Sequence, residues 1–417
     1  TDNTLWIGSR SGVVRYDGKK FRDLSVENRG FDINAIRKIY RSSDGILWLG
    51  TDDGVVLFAN GVWSKIDIRD GLLGNPSKDL DIAIDQVPDD NIRLLQAVGV
   101  EVVPTGLKHG TITAISHDQS FEITTLRVDV ESFGRHAKVA FTDDWSGDAA
   151  RRDFTINAIY ADGMGDLFDP LGGMEDLVSG RVRFVGDAAR RIEEDKLRIL
   201  RFFRFQARFA RGGPDQEALV ACAAAAPGIG GLSGERVRDE FMKILAMPAP
   251  EPCLSLMAHC GVLKQILPDG FVLEHLDRSD DDPVRRLATI AKSGAEALAR
   301  RLCLSNQQAG RLQFMMSPPA KFRPGLPRTD LRRLIYDHGA EAIRDLALQQ
   351  GDFVAAARIE ALAPPPFPLS GRDVIAAGIA PGPDVGKLLR AMEHEWRDSD
   401  FAANHVELLQ ILRAKFV

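Results

Sequence analysis

The chain has 417 residues with 53 Lys and Arg against 59 Asp and Glu, so its formal net charge is −6. That length predicts about two or three domains, and the acidic balance excludes a uniformly basic coat for nucleic acid, so an RNA site must be a local patch. Four cysteines without a Cys-x-x-Cys pair exclude a disulfide scaffold, and no apolar run reaches the roughly 18 residues of a membrane span. We expect a cytoplasmic protein that contacts no membrane, and the sequence does not allow a protein partner to be predicted.

The first 66 residues contain a repeat. The pentapeptide at Leu5–Ser9 recurs at Leu47–Thr51 with an offset of 42 residues, and in both copies Gly-Val-Val follows after two residues. Alternating apolar and polar residues that end in Asp-Gly or Asn-Gly predict β-hairpins. The segment resembles the repeats of two-component-regulator propellers, and we interpret residues 1–66 as two propeller-like β-meanders. Two copies are too few to close a ring of blades.

From about residue 67 the pattern changes. Short apolar runs typical of strands alternate with helical stretches until about residue 170, and beyond Gly186 nearly all spacing is helical. The predicted strands of this part are residues 80–84, 100–103, 111–115, 121–126 and 139–141. The order predicts a multidomain α+β chain in which an α/β head precedes a long helical body.

Asp79 and Asp81 are two residues apart on a predicted strand, so both side chains project from the same face. Two carboxylates so placed repel each other unless a cation lies between them, and Mg²⁺ prefers such ligands beside a nucleoside triphosphate. The alternative is a solvated strand edge. Residues 69–74 before them are typical of a helix that ends at Gly74 and leads into this strand.

A second group of polar residues is Arg-Arg-Asp at 151–153, followed by Asn157. The adjacent arginines offer fork-shaped donors suited to phosphate, and Asp153 and Asn157 are one helical turn apart. An ordinary helix start with a salt bridge is the alternative here. Downstream, residues 169–177 predict a glycine turn that leads into a helix.

The third group lies on a predicted helix that runs through Glu194 and Arg201 and carries four phenylalanines on its apolar face. Glu194, Arg198 and Arg201 follow a helical spacing, so a charged stripe flanks the aromatic face. Residues 181–211 hold ten basic and four acidic side chains, a local charge of +6 that suits nucleic acid. A salt-bridged exposed stripe is the alternative.

Five motifs therefore follow one another in the sequence: DLD, RRDFTINA, DPLGGMEDL, EDKLRILR and, at Glu235 and Arg236, SGER. From about Arg69 to its end, the chain resembles the class II tRNA nucleotidyltransferases, a family of CCA-adding enzymes and bacterial poly(A) polymerases. The resemblance implies a head at residues 67–180, a helical neck at 181–245, and a helical body and tail at 246–417.

The resemblance also implies a reaction and its residues. Asp79 and Asp81 would hold two Mg²⁺ ions, with Glu122 as a supporting carboxylate, while the tRNA 3′ hydroxyl attacks the α-phosphate of CTP or ATP and pyrophosphate leaves. Asp195 would accept from the amino group of cytosine or adenine, and Arg198 would donate to the adjacent ring nitrogen; U and G present the opposite pattern. The implied nucleotide-binding residues are Arg69, Arg151, Arg152, Asp153, Asn157, Glu194, Asp195, Arg198 and Arg201.

The sequence departs from the family at Lys65 and Ile66, where the family has a Gly-Gly pair. Side chains at these positions obstruct the approach of backbone N–H groups to phosphate, so we expect weakened activity. We interpret the chain as the product of a fused or mis-assembled gene with its junction at residues 64–68, and we expect residues 62–66 to take the missing strand's place in the head sheet.

Two other functions remain open. A poly(A) polymerase shares every motif, but such enzymes tend to carry basic extensions that this acidic chain lacks, so we favour CCA addition. A non-catalytic alternative treats the repeats as a sensor-like binding module attached to a decayed enzyme, and it predicts no effect of Mg²⁺ and CTP.

Overall fold

A computed structural model describes residues 5–9, 12–16, 18–23, 36–41, 47–51, 54–59, 62–67, 81–116, 119–133, 136–162, 166–274, 276, 280–292 and 294–416. The chain divides into two compact units. The first comprises Thr1–Ser132, His136–Arg152 and Ala158–Leu171, and the second comprises Phe133–Arg135, Asp153–Asn157 and Gly172–Val417. The predicted arginine pair thus belongs to the first unit, whereas the adjacent Asp153 belongs to the second.

Two antiparallel sheets begin the first unit. One sheet contains β1 (Leu5–Ser9), β2 (Gly12–Tyr16) and β3 (Phe21–Asp23); the other contains β4 (Ile36–Arg41), β5 (Leu47–Thr51), β6 (Gly54–Ala59) and β7 (Val62–Asp67). Ser9 faces Gly12 in the first hairpin and Thr51 faces Gly54 in the second, so the two hairpins share one register. Both copies of the repeat therefore form paired strands at the predicted offset of 42 residues. The predicted Asp-Gly and Asn-Gly pairs lie one connection later along the chain, between β2 and β3 and between β6 and β7.

A small apolar core joins these two sheets. It consists of Val13 from the first sheet and Leu47, Leu49 and Val56 from the second, all buried. In the part of the chain that the structure describes, both sheets are open and no ring of blades is found. The propeller interpretation is therefore not confirmed, although the hairpins on which it rests exist.

The expected place of residues 62–66 in the head sheet is wrong. β7 pairs with β6 along its whole length, with Ile66 opposite Val55 and Lys65 opposite Val56. A hairpin partner two residues away along the chain is reached at a smaller entropic cost than a strand of the head, so the local pairing is favoured. Lys65 and Ile66 therefore lie in an antiparallel ladder of the N-terminal sheet.

The head contains a four-stranded mixed sheet. Its elements are β8 (Asp81–Ile84), α1 (Pro88–Ala97), β9 (Glu101–Gly106), β10 (Thr111–Ser116) and β11 (Gln119–Thr125). The strand order is β8-β11-β10-β9, with β8 parallel to β11 and the other neighbours antiparallel. Alternation buries Ile112, Ala114 and Ile123 against Ile92 and Leu95 of α1.

Several shorter elements complete the first unit. They are β12 (Arg127–Phe133), which pairs with β13 (His136–Phe141), then α2 (Trp145–Ala150), β14 (Tyr160–Ala161) and β15 (Leu167–Phe168). Each predicted strand of the head overlaps an observed strand, but β12 was not predicted, and Leu80 lies outside the described residues. Asp144 begins α2 by accepting a hydrogen bond from the backbone N of Ser146 at 2.9 Å.

The second unit is helical, as the sequence predicts. Its helices are α3 (Gly173–Ser179), α4 (Ala188–Glu194), α5 (Leu197–Phe209), α6 (Gln216–Ala225), α7 (Gly234–Leu245), α8 (Glu251–His259), α9 (Val262–Ile266), α10 (Pro283–Ile290), α11 (Ala295–Arg301), α12 (Asn306–Met316), α13 (Arg328–His338), α14 (Ala340–Gln349), α15 (Phe353–Leu362), α16 (Gly371–Ala376), α17 (Pro383–Asp398) and α18 (His405–Phe416). Among the described helices, none combines the length and apolar character that crossing a membrane requires.

Capping side chains and apolar faces explain these helices. Three helices begin at an aspartate whose side chain accepts a hydrogen bond from the backbone N three positions later along the chain: Asp187, Asp215 and Asp282. Ser305 forms a reciprocal capping box with Gln308. A continuous core runs from α4 to α15 and includes the phenylalanines of α5, while a separate core around Trp396 joins α16, α17 and α18.

The single helix expected through Glu194 and Arg201 is wrong. α4 ends at Glu194, Asp195 is extended with φ −152°, and α5 begins at Leu197. The Asp195 carboxylate accepts from the backbone N of Leu197 at 3.0 Å, so it caps the second helix instead of continuing the first. The local preference of Asp for a cap therefore outweighs the helical spacing of the charges.

Candidate functional site

Asp81 and Glu122 are register partners of the parallel strands β8 and β11. Such partners project from the same face of a sheet, on strands about 4.8 Å apart. Both side chains are exposed, and neither forms a hydrogen bond or ion pair with a residue that the structure describes. Adjacent carboxylates with open oxygen atoms suit a hard cation such as Mg²⁺.

Two of the residues predicted beside this carboxylate pair, Asp79 and Arg69, lie outside the described residues. Within the described ranges, no group of three or more His, Cys, Asp or Glu side chains is arranged for a metal. The chemistry of Asp81 and Glu122 therefore fits part of a divalent cation site, and the assignment of Asp79 stays a prediction.

Asp148 of α2 lies at the centre of the second group, with 1% of its side chain exposed. Arg151 donates from Nε and Nη2 to Oδ1 at 2.8 and 2.7 Å, and Arg152 donates from Nη2 to Oδ2 at 3.2 Å. The Tyr160 hydroxyl donates to Oδ2 at 2.6 Å, and the backbone N of Arg127 donates to Oδ1 at 3.1 Å. One buried carboxylate thus holds both predicted phosphate-binding arginines.

The electrostatics of this cluster leave it cationic at neutral pH. Burial raises the pKa of Asp148, but the hydrogen bond from Tyr160 and the charge of Arg151 outweigh burial, so the pKa lies below its ordinary value. Burial, together with the hydrogen bond to Asp148, raises the pKa of Tyr160 to about 12. One carboxylate and a neutral phenol therefore face two guanidinium groups, which favours an anionic ligand.

Asp153, Asn157 and Arg201 are brought together in the second unit. Asp153 accepts from Arg201 Nε on one oxygen, and on the other from Asn157 Nδ2 and the backbone N of Phe154, both at 3.0 Å. Burial raises the pKa of Asp153, yet the charge of Arg201 outweighs it and the net pKa is lowered. Asp153 is therefore bonded to both of the other predicted residues, Asn157 and Arg201.

Glu194 receives two arginines from the end of α4 and the start of α5. Arg191 donates to Oε2 at 3.0 Å, and Arg198 donates to the same oxygen and to the carbonyl of Arg191. Burial raises the pKa of Glu194, but these two hydrogen bonds and charges outweigh it, so the pKa is lowered. The expected charged stripe exists as a network of ion pairs.

Asp195 is oriented by a residue from a different helix. Arg236 of α7 donates from Nη2 to Oδ2 at 2.6 Å, while Oδ1 accepts from the backbone N of Leu197. The sequence places Arg236 in the SGER motif but gives no role for it. The structure gives that motif a contact with the predicted base-reading carboxylate.

The glycine turn supports a fully buried carboxylate. Gly172 has φ 72°, a conformation that favours glycine, and it begins α3, which carries Asp176. Asp176 accepts from Arg181 Nε at 2.7 Å, from Arg183 Nε at 2.9 Å and from the Thr155 hydroxyl. The Asp176 side chain therefore connects Thr155 to Arg181 and Arg183 through hydrogen bonds.

Sequence reasoning missed Asp148, Tyr160 and the role of Asp176. For Asp148 a signal was available, because it precedes Arg151 by three residues and Arg152 by four, the two spacings at which helical side chains meet. No local signal identifies Tyr160, whose contact depends on the fold.

Three protein-family models match parts of the chain. The "Poly A polymerase head domain" matches residues 67–183, and the "Probable RNA and SrmB- binding site of polymerase A" matches residues 214–272. The "Two component regulator propeller" matches residues 30–53, within the N-terminal repeats.

The mitochondrial CCA tRNA nucleotidyltransferase 1 of Homo sapiens is 35% identical over 367 residues, which cover 83% of this chain and 85% of the human protein. The chain belongs to the CCA tRNA nucleotidyltransferase family. Within this family, the CCA-adding enzyme of Geobacillus thermodenitrificans is 37% identical over 199 residues, or 47% of this chain and 48% of that protein.

Solved structures of CCA-adding enzymes share the fold. The Bacillus stearothermophilus enzyme in complex with CTP has a TM-score of 0.69 at 24% identity and covers 84% of this chain and 91% of its own. The Thermotoga maritima enzyme complexed with tRNA has a TM-score of 0.55 at 20% identity, with 84% and 90% covered. A nucleotidyltransferase head followed by a helical body is thereby confirmed.

Proposed function

We propose that this chain adds or repairs the CCA end of tRNA by transferring nucleotides from CTP and ATP. The observation that carries the proposal is the exposed pair Asp81 and Glu122, in a head that matches this enzyme family. CCA-adding enzymes of this fold have been solved in complex with CTP, ATP and tRNA, which supports the same three partners for this chain.

In the proposed reaction, the tRNA 3′ hydroxyl loses its proton to solvent and its oxygen forms a bond to the α-phosphorus, while the bond between that phosphorus and the bridging α–β oxygen breaks. Pyrophosphate is released. We propose that Asp79, Asp81 and Glu122 hold Mg²⁺, which when bound stabilises the charge that develops on the attacking and leaving oxygens. Arg69, Arg151 and Arg152 bind the phosphates through charge-assisted hydrogen bonds.

For base selection we propose Asp195 as the acceptor and Arg198 as the donor, with Glu194 holding Arg198 in place. The predicted ligands Asp153, Asn157 and Arg201 bond to one another, which supports a positioning role for them.

We also propose the four-part division with boundaries at residues 66, 180 and 245. The head family model begins at residue 67, which supports the first boundary. A cytoplasmic location stays a prediction, because relatives include proteins named as mitochondrial.

The test is incubation of the full chain with tRNA that lacks its CCA end, each labelled nucleoside triphosphate and Mg²⁺. We expect incorporation of CMP and then AMP, and Asp81→Ala should lower both by at least about 100-fold because transition-state charge loses its stabilisation. Glu101→Ala is the matched control, since Glu101 is an exposed carboxylate at the start of the opposite edge strand; it should react as the wild type does.

The other outcomes separate the alternatives. Long tails of AMP alone would identify a poly(A) polymerase, and no incorporation of any nucleotide by the wild type would favour the non-catalytic binding protein. An Asp81→Ala variant with wild-type rates would contradict the metal assignment.

A further inference from the structure

The Asp148 carboxylate links the arginine pair to the strands that carry the candidate metal ligands. We infer that Asp148 is a positioning residue that fixes Arg151 and Arg152 for the β- and γ-phosphates of the incoming nucleotide, with Tyr160 holding the carboxylate in place. The inference rests on the proposed function, because it takes these arginines as phosphate ligands.

The first argument is how the hydrogen bonds are divided between the two carboxylate oxygens. Oδ1 accepts from Arg151 and from the backbone N of Arg127, while Oδ2 accepts from Arg152 and from the Tyr160 hydroxyl. Each guanidinium therefore has its own oxygen, and neither can rotate without losing a charge-assisted hydrogen bond. Arg152 also lies over the Tyr160 ring, 5.2 Å from its centroid.

The second argument is the connection to the head sheet. Arg127 lies two residues after Thr125, the last residue of β11. The backbone N of Leu126, between them, donates to the carbonyl of Ile84 in β8 at 2.8 Å. The amide of Arg127 donates to Asp148, and its carbonyl accepts from Arg151 Nε at 3.0 Å. The cluster is thus bonded to the peptide groups of Arg127, and the preceding residue, Leu126, is hydrogen-bonded to β8, the strand that bears Asp81.

The third argument is that the arginine pair keeps an N–H donor available for a ligand. Arg151 and Arg152 have 18% and 30% of their side chains exposed, so both guanidinium groups reach the surface. Nη1 of Arg151 makes no hydrogen bond to any residue in the described part of the chain. Two cations held by one buried anion, with an open donor at the surface, suit the oxyanions of a nucleoside triphosphate.

The test uses the full chain and compares CTP with CMP, which lacks the β- and γ-phosphates. In Asp148→Asn the guanidinium groups lose the charge that holds them, so we expect the equilibrium Kd for CTP to rise about 10-fold while that for CMP changes by less than about 2-fold. In steady-state assays the KM for CTP should rise by a similar factor, with kcat less affected.

Tyr160→Phe is the second variant, because it keeps the ring and removes one hydrogen bond. It should raise the Kd for CTP about 3-fold without changing that for CMP. Asp144→Ala is the matched control: Asp144 caps the same helix without contacting the arginines, so this variant should lower the unfolding temperature and leave the ratio of the two affinities unchanged.

A folded Asp148→Asn variant with the wild-type ratio of CTP to CMP affinity would overturn the inference and leave Asp148 a purely structural residue. If Asp148→Asn does not fold, an unchanged ratio in Tyr160→Phe overturns it equally. If the wild type does not bind CTP, both the proposed function and the positioning role of Asp148 are overturned. The other outcomes test the role of Asp148 alone.

Discussion

At the scale of single residues, the proposed recognition of the base by Asp195 depends on the orientation of its carboxylate. Its two oxygens are engaged by the amide of Leu197 and by the guanidinium of Arg236, so the carboxylate cannot turn freely. A fixed carboxylate discriminates between bases because a base that presents an acceptor instead of an amino group leaves both partners without a hydrogen bond.

We predict that Asp195→Ala changes base choice more than it changes the rate. Loss of the acceptor should lower the preference for CTP over UTP about 5- to 150-fold, since a missing hydrogen bond costs roughly 1 to 3 kcal/mol. Single-nucleotide incorporation with each labelled triphosphate measures this preference.

Asp187→Ala is the control for this prediction, because Asp187 only caps α4 and should leave the preference intact. A uniformly slower Asp195→Ala enzyme with unchanged preference would show that Asp195 is a structural partner of Arg236.

At the scale of elements, the contacts of Asp153 join the segment at 153–157 to α5. Asp153 forms an ion pair with Arg201, and the side chain of Asp153 is only 7% exposed. The other carboxylate oxygen of Asp153 accepts a hydrogen bond from Asn157. A buried pair that loses one charge leaves the other without compensation, so this contact affects stability more than a surface pair does.

We predict that Asp153→Asn lowers the free energy of unfolding by about 3 kcal/mol at pH 7. The folded pKa of Asp153 is lowered, so its contribution is complete above about pH 4, the unfolded value, and is lost as pH falls through the folded value. The difference in the free energy of unfolding between Asp153→Asn and the wild type should therefore become smaller below about pH 4. Urea unfolding at a series of pH values measures this difference.

Glu296→Gln serves as the comparison for an exposed pair. Glu296 and Arg300 have 83% and 76% of their side chains exposed, so this change should cost less than about 0.5 kcal/mol. If Asp153→Asn and Glu296→Gln lower the free energy of unfolding equally, the Asp153 contact contributes no more to stability than an exposed ion pair does.

How far sequence predicts these elements depends on whether their causes are local. The strand β12 was missed, but every predicted head strand overlaps an observed strand because its apolar run is a local signal. The Asp-Gly and Asn-Gly pairs lie in the connections β2–β3 and β6–β7, so these features were predictable. The break between α4 and α5 was not, because two non-helical residues leave Glu194 and Arg198 close enough to pair as they would on one helix. Its cause includes the contact of Asp195 with Arg236, which lies 41 residues away.

At the scale of the whole chain, the unusual feature is the segment before the head. Lys65 and Ile66 lie within the ladder between β7 and β6, at the positions where the resemblance implies a glycine turn that approaches phosphate. Residues in such a ladder cannot also present a phosphate-binding turn, so we expect these two positions to supply no backbone donor to the phosphates.

We predict that replacing Lys65 and Ile66 by glycine, within a restored family-like first strand, raises CTP incorporation at least about 10-fold. Loss of one preorganised donor typically costs about 100- to 1000-fold, so a partial recovery of this size is a cautious expectation. The control carries the same restored strand with Lys65 and Ile66 retained. Equal rates for the unmodified and restored chains would show that the N-terminal segment is a tolerated replacement.

The position of β8 has a consequence for the thermodynamics of the chain. β8 is an edge strand of the described sheet, hydrogen-bonded to β11, and Asp81 and Glu122 place two negative charges across that ladder. Like charges directly opposite each other weaken strand pairing. A cation bound between them binds the folded sheet and not the unfolded chain, so at about 100 times its Kd it would add roughly 2.7 kcal/mol to the free energy of unfolding. Under the proposed metal assignment, the ion that serves the chemistry would therefore also hold an edge strand in its sheet, and we expect the melting temperature of the head to rise with the concentration of divalent cations.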